Sequence, residues 1–353
     1  MFLIFDFFLL VISFYLLARI CDKYFVESLD KIAHKLKMSS DMAGATLMAA
    51  GSSAPELFVA IIALLKPGGH EDIGTGTIVG SALFNILVIV GASAVAIKKT
   101  ILSWQPVVRD TIFYSFSIIM LILAFRDGRV DFMEALMFVG LYAIYLVAVA
   151  KWRKILPYKD IGNMVKGIEK EIKKSEKKKW HKITRPLDWA MDKLFPPAKH
   201  YYLVFLTSIA FIVAISWVLV ESAVSISNAF GIPEAIIALT VLAAGTSIPD
   251  LISSIIVAKQ GRGDMAISNA IGSNIFDILF GLGVPWLIVL SFSNKSVFVS
   301  TENLLTSVIL LFATVIIVFF LLLARKWKIG HKAGYFLIIL YIFYLAWAIS
   351  RVI

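Results

Sequence analysis

Cysteine is nearly absent from this chain of 353 residues. Cys21 stands alone, which excludes an internal disulfide and any zinc site built from cysteines. The five histidines are scattered without metal-ligand spacing. Charge is scarce as well: Asp, Glu, Lys and Arg make up 16% of the residues against 59% hydrophobic. That balance excludes an ordinary water-soluble domain and places the chain in the membrane class. Acidic residues number 24 against 34 Lys and Arg, for a net charge of +10. The basic residues collect between apolar segments and in one central run, so they are read as topological and lipid-facing. Nucleic acid is not an expected partner. The apolar run from Met1 to Leu17 has no basic flank before it and is interrupted by Asp6, which favours a retained first helix over a cleaved signal peptide.

What is present is a series of apolar segments long enough to cross a bilayer. Ten are expected, at about 1-20, 40-65, 73-97, 106-125, 130-150, 201-222, 233-258, 264-290, 302-324 and 333-351. If each one crosses, alternate connections fall on alternate sides, and the basic residues sort unevenly. One side receives Lys23, Lys31, Lys35, Lys37, Lys98, Lys99, Lys259, Arg262, Arg325, Lys326, Lys328 and Lys332 with the central run. The other receives Lys66, Arg126, Arg129 and Lys295. The excess of Lys and Arg on the cytoplasmic side then puts both termini outside the cell and the central loop in the cytoplasm, in a cell membrane.

Two blocks occur twice. Gly51-Ser52-Ser53-Ala54-Pro55-Glu56 returns as Gly245-Thr246-Ser247-Ile248-Pro249-Asp250, and Gly80-Ser81-Ala82-Leu83-Phe84-Asn85-Ile86-Leu87 returns as Gly272-Ser273-Asn274-Ile275-Phe276-Asp277-Ile278-Leu279. Val26-Glu27-Ser28 likewise matches Val220-Glu221-Ser222. Five helices per half give the second half the opposite orientation, so the fold expected is an all-α polytopic membrane protein of ten transmembrane helices in two inverted five-helix repeats. Its parts would be a first half (1-150), a basic cytoplasmic loop (151-199) and a second half (200-353). Inverted repeats with polar helices interrupted by Gly and Pro point to a secondary transporter with its site near the midplane.

A carboxylate at membrane depth marks an ion pathway. Hydroxyls three and four residues before it share its helix face, so Ser52 and Ser53 converge with Glu56, and Thr246 and Ser247 with Asp250. Ser81 with Asn85, and Ser273 with Asp277, also share a face. The proline in each motif leaves a carbonyl one turn back without its helical donor. All these ligands are oxygen, which suits hard cations such as Ca²⁺ and Na⁺. Bland readings compete. Serine, threonine and asparagine in membrane helices bond their own backbone or a neighbouring helix, and Gly76 to Gly80 can be a packing face. Glu27, Asp30, Asp72, Glu134, Glu221 and Glu234 fall near helix ends and are read as interfacial. In the central loop Ile161, Met164, Val165, Ile168 and Ile172 keep helical spacing beside Lys173, Lys174 and Lys177 to Lys179. That is the pattern of either an amphipathic helix on anionic lipid or a solvated linker.

Through these two repeated blocks the chain resembles the cation/calcium exchanger superfamily, close to the sodium/calcium exchangers. The resemblance implies four central helices that hold the ions, with hydroxyl ligands Ser52, Ser53, Ser81, Thr246, Ser247 and Ser273. It implies backbone oxygens from Ala49 and Ala243 at a break in each helix, and Glu56 and Asp250 at the Ca²⁺ position flanked by Asn85 and Asp277. It also implies exchange of several Na⁺ for one Ca²⁺ over overlapping sites by alternating access, with no prosthetic group, and sliding of the first and sixth helices. Many sodium/calcium exchangers carry Glu where this chain has Asp250, shorter by about 1.5 Å. Asp250 with Asp277 resembles the potassium-dependent branch, which makes K⁺ a candidate co-substrate. Protons are expected to compete for the clustered carboxylates, and a proton-coupled exchanger or a channel could use the same acids. Gly261-Arg262-Gly263-Asp264 fits a Gly-x-Gly-Asp protease pattern, but the second aspartate in a Tyr-Asp setting is missing and Asp264 reads as a helix cap. An enzyme is therefore not expected.

Overall fold

The computed structural model describes residues 2–36, 49–96, 100–102, 104–156, 189, 191–259, 263–292, 296–300 and 304–351. Residues 37–48, most of the basic loop including its spaced apolar positions, and Gly261-Arg262 lie outside these, as do the side chains of Asp30 and Asp264. In an apolar solvent a spanning segment has to satisfy its own backbone, and the apolar segments accordingly form helices.

The chain begins as α1 (Phe2–Ile20), passes a widened π turn (Cys21–Phe25) and continues as α2 (Val26–Lys35). The first repeated motif lies on α3 (Ala49–Ser52) and α4 (Ala54–Leu65). The next block lies on α5 (Glu71–Phe84), which runs through a π turn (Asn85–Ile89) into α6 (Val90–Ala96). Then follow β1 (Thr100–Ile101), α7 (Trp104–Ala124), β2 (Arg129–Val130) and α8 (Phe132–Ile155). In the second half, α9 (Tyr201–Phe230) precedes α10 (Glu234–Ile237), which passes a π turn (Ala238–Leu242) into α11 (Ala243–Lys259). The helix α12 (Gly263–Phe276) passes a π turn (Asp277–Leu282) into α13 (Gly283–Phe292). The chain closes with β3 (Val297–Phe298), α14 (Thr306–Ala324), β4 (Lys328–Ile329) and α15 (His331–Ser350). Among the described residues seven helices are long and apolar enough to cross a membrane: Glu71–Ala96, Trp104–Ala124, Phe132–Trp152, Tyr201–Phe230, Ala266–Phe292, Thr306–Ala324 and His331–Ser350.

Local chemistry sets several of these boundaries. Asp131 starts α8 with a capping box: its carboxylate accepts from the Glu134 N–H at 2.8 Å, and Glu134 accepts from the Asp131 N–H at 3.0 Å. Gly231 ends α9 in the left-handed region (φ 65°), where a side chain would be strained. That ending lets α9 run to Phe230, beyond the expected limit at 222.

Two short antiparallel ladders cross between the halves. β1 pairs with β4, Thr100 opposite Ile329, and β2 pairs with β3, Arg129 opposite Phe298. Because α7 runs from β1 to β2 and α14 from β3 to β4, the two helices lie antiparallel with a ladder at each end. The helices α4, α5, α11 and α12 meet at the centre, α1 packs along α9, and α9 lies against α4. Large apolar side chains such as Met133, Met137, Ile144 and Phe343 are exposed, whereas Ser81, Ser247 and Asn274 are buried within the otherwise apolar interior.

Candidate functional site

The centre is brought together by small residues. A Cβ on Gly76 would lie 2.8 Å from the Ala238 methyl, and one on Gly80 would lie 2.6 Å from the Ala243 methyl. The two halves therefore approach at van der Waals distance along α5 and α11. The packing reading of Gly76 and Gly80 holds, and its consequence is that polar side chains one residue along, at Ser81, reach the other half.

At this contact Ser247 donates to Glu56 Oε1 at 3.3 Å, and Ser81 lies 3.0 Å from Ser247. Ser81 faces the same carboxylate, so the two hydroxyls and Glu56 form one hydrogen-bonded cluster. Thr246 also faces Glu56, while its hydroxyl donates back to the Leu242 carbonyl at 3.0 Å. Glu56 is 2% exposed and its other oxygen, Oε2, is buried with no hydrogen-bond partner. Ser53 Oγ, Asn85 Oδ1 and Asp277 Oδ1 are buried and unpartnered in the same way. Ser53 faces Asp277, and the charges of Glu56 and Asp250 both act on Asp277. A buried carboxylate oxygen left bare is costly. Two bare carboxylate oxygens, one hydroxyl and one amide oxygen, drawn from both halves and set in a region otherwise packed with apolar side chains, make up an all-oxygen set with the chemistry a hard cation needs.

The expected ligands divide accordingly. Glu56, Ser53, Ser81, Asn85, Thr246, Ser247, Ser273 and Asp277 are all buried at this centre. Asp250 is only partly buried, and among the described residues no three acidic, histidine or cysteine side chains draw close enough to hold a metal by themselves. Mutual repulsion keeps carboxylates apart. Ser52 turns its hydroxyl to the Ala49 carbonyl at 3.3 Å, and that carbonyl also accepts from the Ser53 N–H at 3.0 Å. The expected break in each helix needs correction. α3 and α4 part at Ser53 (φ −93°, ψ 11°), but α11 is unbroken through Pro249, and the irregularity in that half is the π turn that ends at Leu242, just before Ala243. A π turn widens the helix locally, and such turns are frequent at functional sites. Two further π turns begin at Asn85 and Asp277 themselves.

Most residues read as interfacial have partners of that kind: Lys66 pairs with Glu221, His70 Nδ1 lies 2.9 Å from Glu234, and Asp72 accepts from the Ser300 N–H at 2.8 Å. The pair Glu27 and Lys31 are 3.6 Å apart. Sequence reasoning missed Arg109 and Asp110, a buried pair on α7 with Nε to Oδ1 at 2.7 Å and the Tyr145 hydroxyl donating to Asp110 at 3.3 Å. Two adjacent charges inside an apolar segment were the available signal. It also gave no part to Asn274 and Tyr114, which are hydrogen-bonded to one another beside Asn85. There the signal was a difference between the copies, Asn274 standing where the first block has Ala82.

A polytopic helical membrane protein with charged, oxygen-lined chemistry at its centre belongs to the class of ion transporters. Comparison with known proteins places it more narrowly. The family model described as sodium/calcium exchanger protein matches residues 7–151 and 200–350, and the chain belongs to that family. Sodium/potassium/calcium exchanger 4 of Homo sapiens is 27% identical over 95% of this chain and 79% of its own length. Sodium/potassium/calcium exchanger 1 of Gallus gallus is 29% identical over 94% and 76%. Among solved structures, the H⁺/Ca²⁺ exchanger CAX has a TM-score of 0.71 at 18% identity, covering 97% of this chain and 82% of that one. The sodium-calcium exchanger NCX_Mj, soaked with Na⁺ and Sr²⁺, has a TM-score of 0.59 at 23% identity, covering 98% and 99%. These structural likenesses concern the fold.

Proposed function

We propose that the chain is a secondary antiporter that exchanges Na⁺ for Ca²⁺ by alternating access, with Glu56, Ser53, Asn85 and Asp277 at the heart of the cation site. One observation carries the reading: the bare buried oxygens of these four residues, contributed by both halves. Ca²⁺, or several Na⁺ ions, neutralises the carboxylates, whereas a half-filled site leaves charge uncompensated in a poorly solvated interior. Only fully loaded states cross readily, which enforces exchange over leak. Ser81, Thr246, Ser247 and Ser273 complete the oxygen set, Ser52, Ala49 and Ala243 supply outer oxygens, and Asp250 joins from its partly exposed position as a cation is drawn in.

Ten transmembrane helices in two inverted repeats form the frame. Support comes from the ladders, since exchanging the halves turns β1–β4 into β3–β2. Equivalent rings support it too: Tyr341 meets Phe84 edge-on at 5.5 Å, and Tyr142 meets Phe276 edge-on at 5.7 Å. The family match breaks over 152–199, in keeping with halves at 1-150 and 200-353 joined by a basic cytoplasmic loop near anionic lipid, with both termini outside. The relatives named as sodium/potassium/calcium exchangers favour K⁺ as a co-substrate.

Uptake of ⁴⁵Ca²⁺ into proteoliposomes, with outward Na⁺, K⁺ and H⁺ gradients imposed one at a time, tests this. Uptake driven by Na⁺ and enhanced by K⁺ on the Ca²⁺ side is the expected result. Uptake driven only by H⁺ would make the chain a proton-coupled exchanger, and uptake needing no counter-ion would make it a channel.

A further inference from the structure

Asn85 and Asp277 hold equivalent places in the two blocks, yet they differ chemically in a way that matters to a cation. A carboxylate presents oxygen on both sides. An amide presents oxygen on one side and an N–H₂ group on the other, and the wrong face repels the ion. Something has to fix which end of Asn85 points into the site.

The structure contains a chain of hydrogen bonds that does so. Its fixed point is the Ala82 carbonyl, which can only accept. Asn274 Nδ2 lies 3.1 Å from that oxygen and 2.9 Å from the Tyr114 hydroxyl. The amide group of Asn274 must therefore face Ala82, which leaves its Oδ1 on the opposite side, 2.9 Å from Asn85 Nδ2. An amide oxygen can only accept, so Asn85 is obliged to donate there. Its remaining N–H points to Ser273 Oγ at 3.4 Å, and Oδ1 is left buried and bare. Each step has one solution once the Ala82 carbonyl is placed. The four groups are almost wholly buried, so no bulk water competes. The second half needs no such device, because Asp277 is symmetric about its carboxyl group.

We propose that Asn274, held by the Ala82 carbonyl and Tyr114, is a positioning residue that aims the oxygen of Asn85 at the transported cation. The inference rests on the cation site proposed above and adds to it a residue that touches no ion. It also explains why the helix leading to Asp277 spends a buried asparagine on the other half: Asn274 occupies the place equivalent to Ala82 and bonds to the carbonyl of that very residue.

A double-variant cycle tests it through the Ca²⁺ concentration for half-maximal Na⁺-driven uptake. Asn274→Ala should raise that concentration about tenfold, the scale of removing one charge-assisted interaction with the ion. The Asn85→Asp variant will have its own Ca²⁺ affinity, but its carboxylate needs no orientation. Adding Asn274→Ala to it should bring no tenfold rise, because the carboxylate has an oxygen toward the site whichever way it turns and the Asn274 oxygen no longer opposes it. Equal penalties in the two backgrounds would show that Asn274 only packs, and would overturn the proposal. If Asn274→Ala does not yield a monodisperse protein, the same cycle is built on Tyr114→Phe, which keeps the ring. The expectation is then a penalty of about threefold that disappears beside Asn85→Asp, and an unchanged penalty again overturns the proposal. Failure of the site assignment looks different: the unaltered protein would then show no Na⁺-driven Ca²⁺ uptake that Glu56→Gln removes.

Discussion

The two halves share three short blocks of sequence and are unequal in structure. In the first, the polar motif sits at a true interruption, with α3 and α4 parting at Ser53, while in the second the corresponding helix α11 is continuous and a π turn comes before it. The first contributes Glu56 and Asn85, the second Asp250 and Asp277. The first carries the buried pair of Arg109 and Asp110 on α7, and α14, packed beside α7, opens instead with the hydroxyl residues Thr306 and Ser307. The halves therefore share their repeated blocks and differ in charge and in helix geometry. Glu56 is enclosed and half of its carboxylate is bare, whereas Asp250 is only partly buried.

That contrast can be broken most forcibly at Glu56. Glu56→Gln keeps the shape and removes the charge, and the expectation is a loss of about 100-fold or more in Ca²⁺ uptake, in line with roughly 3 kcal/mol for an uncompensated buried partner. Uptake in vesicles matching that of the unaltered protein would remove Glu56 from the site. Next in size is Asp110→Asn, which leaves the Arg109 guanidinium without its countercharge. It should cost about 3 kcal/mol in thermal unfolding of the purified protein, against less than about 1 kcal/mol for Ser307→Ala. Similar values for the two would mean that the charged pair adds nothing peculiar to the first half.

A milder change makes the halves alike. Asp277→Asn gives both blocks an amide at this position, and with one charge fewer around the cation the half-saturating Ca²⁺ concentration should rise about tenfold. An unaltered value would mean that Asp277 does not meet the ion. The smallest expected effect lies outside the spans, where Lys23 and Tyr24 hold Asp192 at 2.5 and 2.6 Å. Partial burial works to raise this carboxyl, but the bonds from Lys23 and Tyr24 and the nearby charges of Lys23 and Arg19 hold it below its ordinary 3.8. A lowered folded value stabilises above the unfolded pKa and is lost as pH falls through the folded one. The segment around Phe195, stacked on Tyr24 at 3.7 Å, should keep its hydrogen-exchange protection at pH 6 and lose part of it below about pH 4. Protection that stays constant over that range would show that stacking alone holds the segment.

Much of this was legible in the sequence, and for physical reasons. Bilayer-length apolar runs gave the helices, and repeated Gly, Ser, Pro and acid in those runs identified the centre, since a carboxylate such as Glu56 survives there only for a purpose. The ladders were hidden because two-residue strands have no periodicity to read. The π turns were hidden because Asn85 and Asp277 sit in sequence that supports an ordinary helix equally well. The break expected at Ala243 takes the form of a π turn that ends at Leu242, and the helix then runs on through Pro249, since a membrane helix can carry a proline. Asn274 was overlooked because its counterpart in the first block is Ala82, so the match between the blocks drew attention to Ser273 and Asp277 on either side of it.

The two small ladders have a mechanical consequence. Main-chain bonds fasten α7 and α14 to each other at top and bottom, so the wall they form cannot shear without breaking backbone pairing in both places. α1 and α9, which lean on each other and on the centre through side chains alone, carry no such fastening among the described residues. A shift of α1 and α9 against the centre would therefore cost no backbone pairing among the described residues, whereas a shift of α7 past α14 would break both ladders.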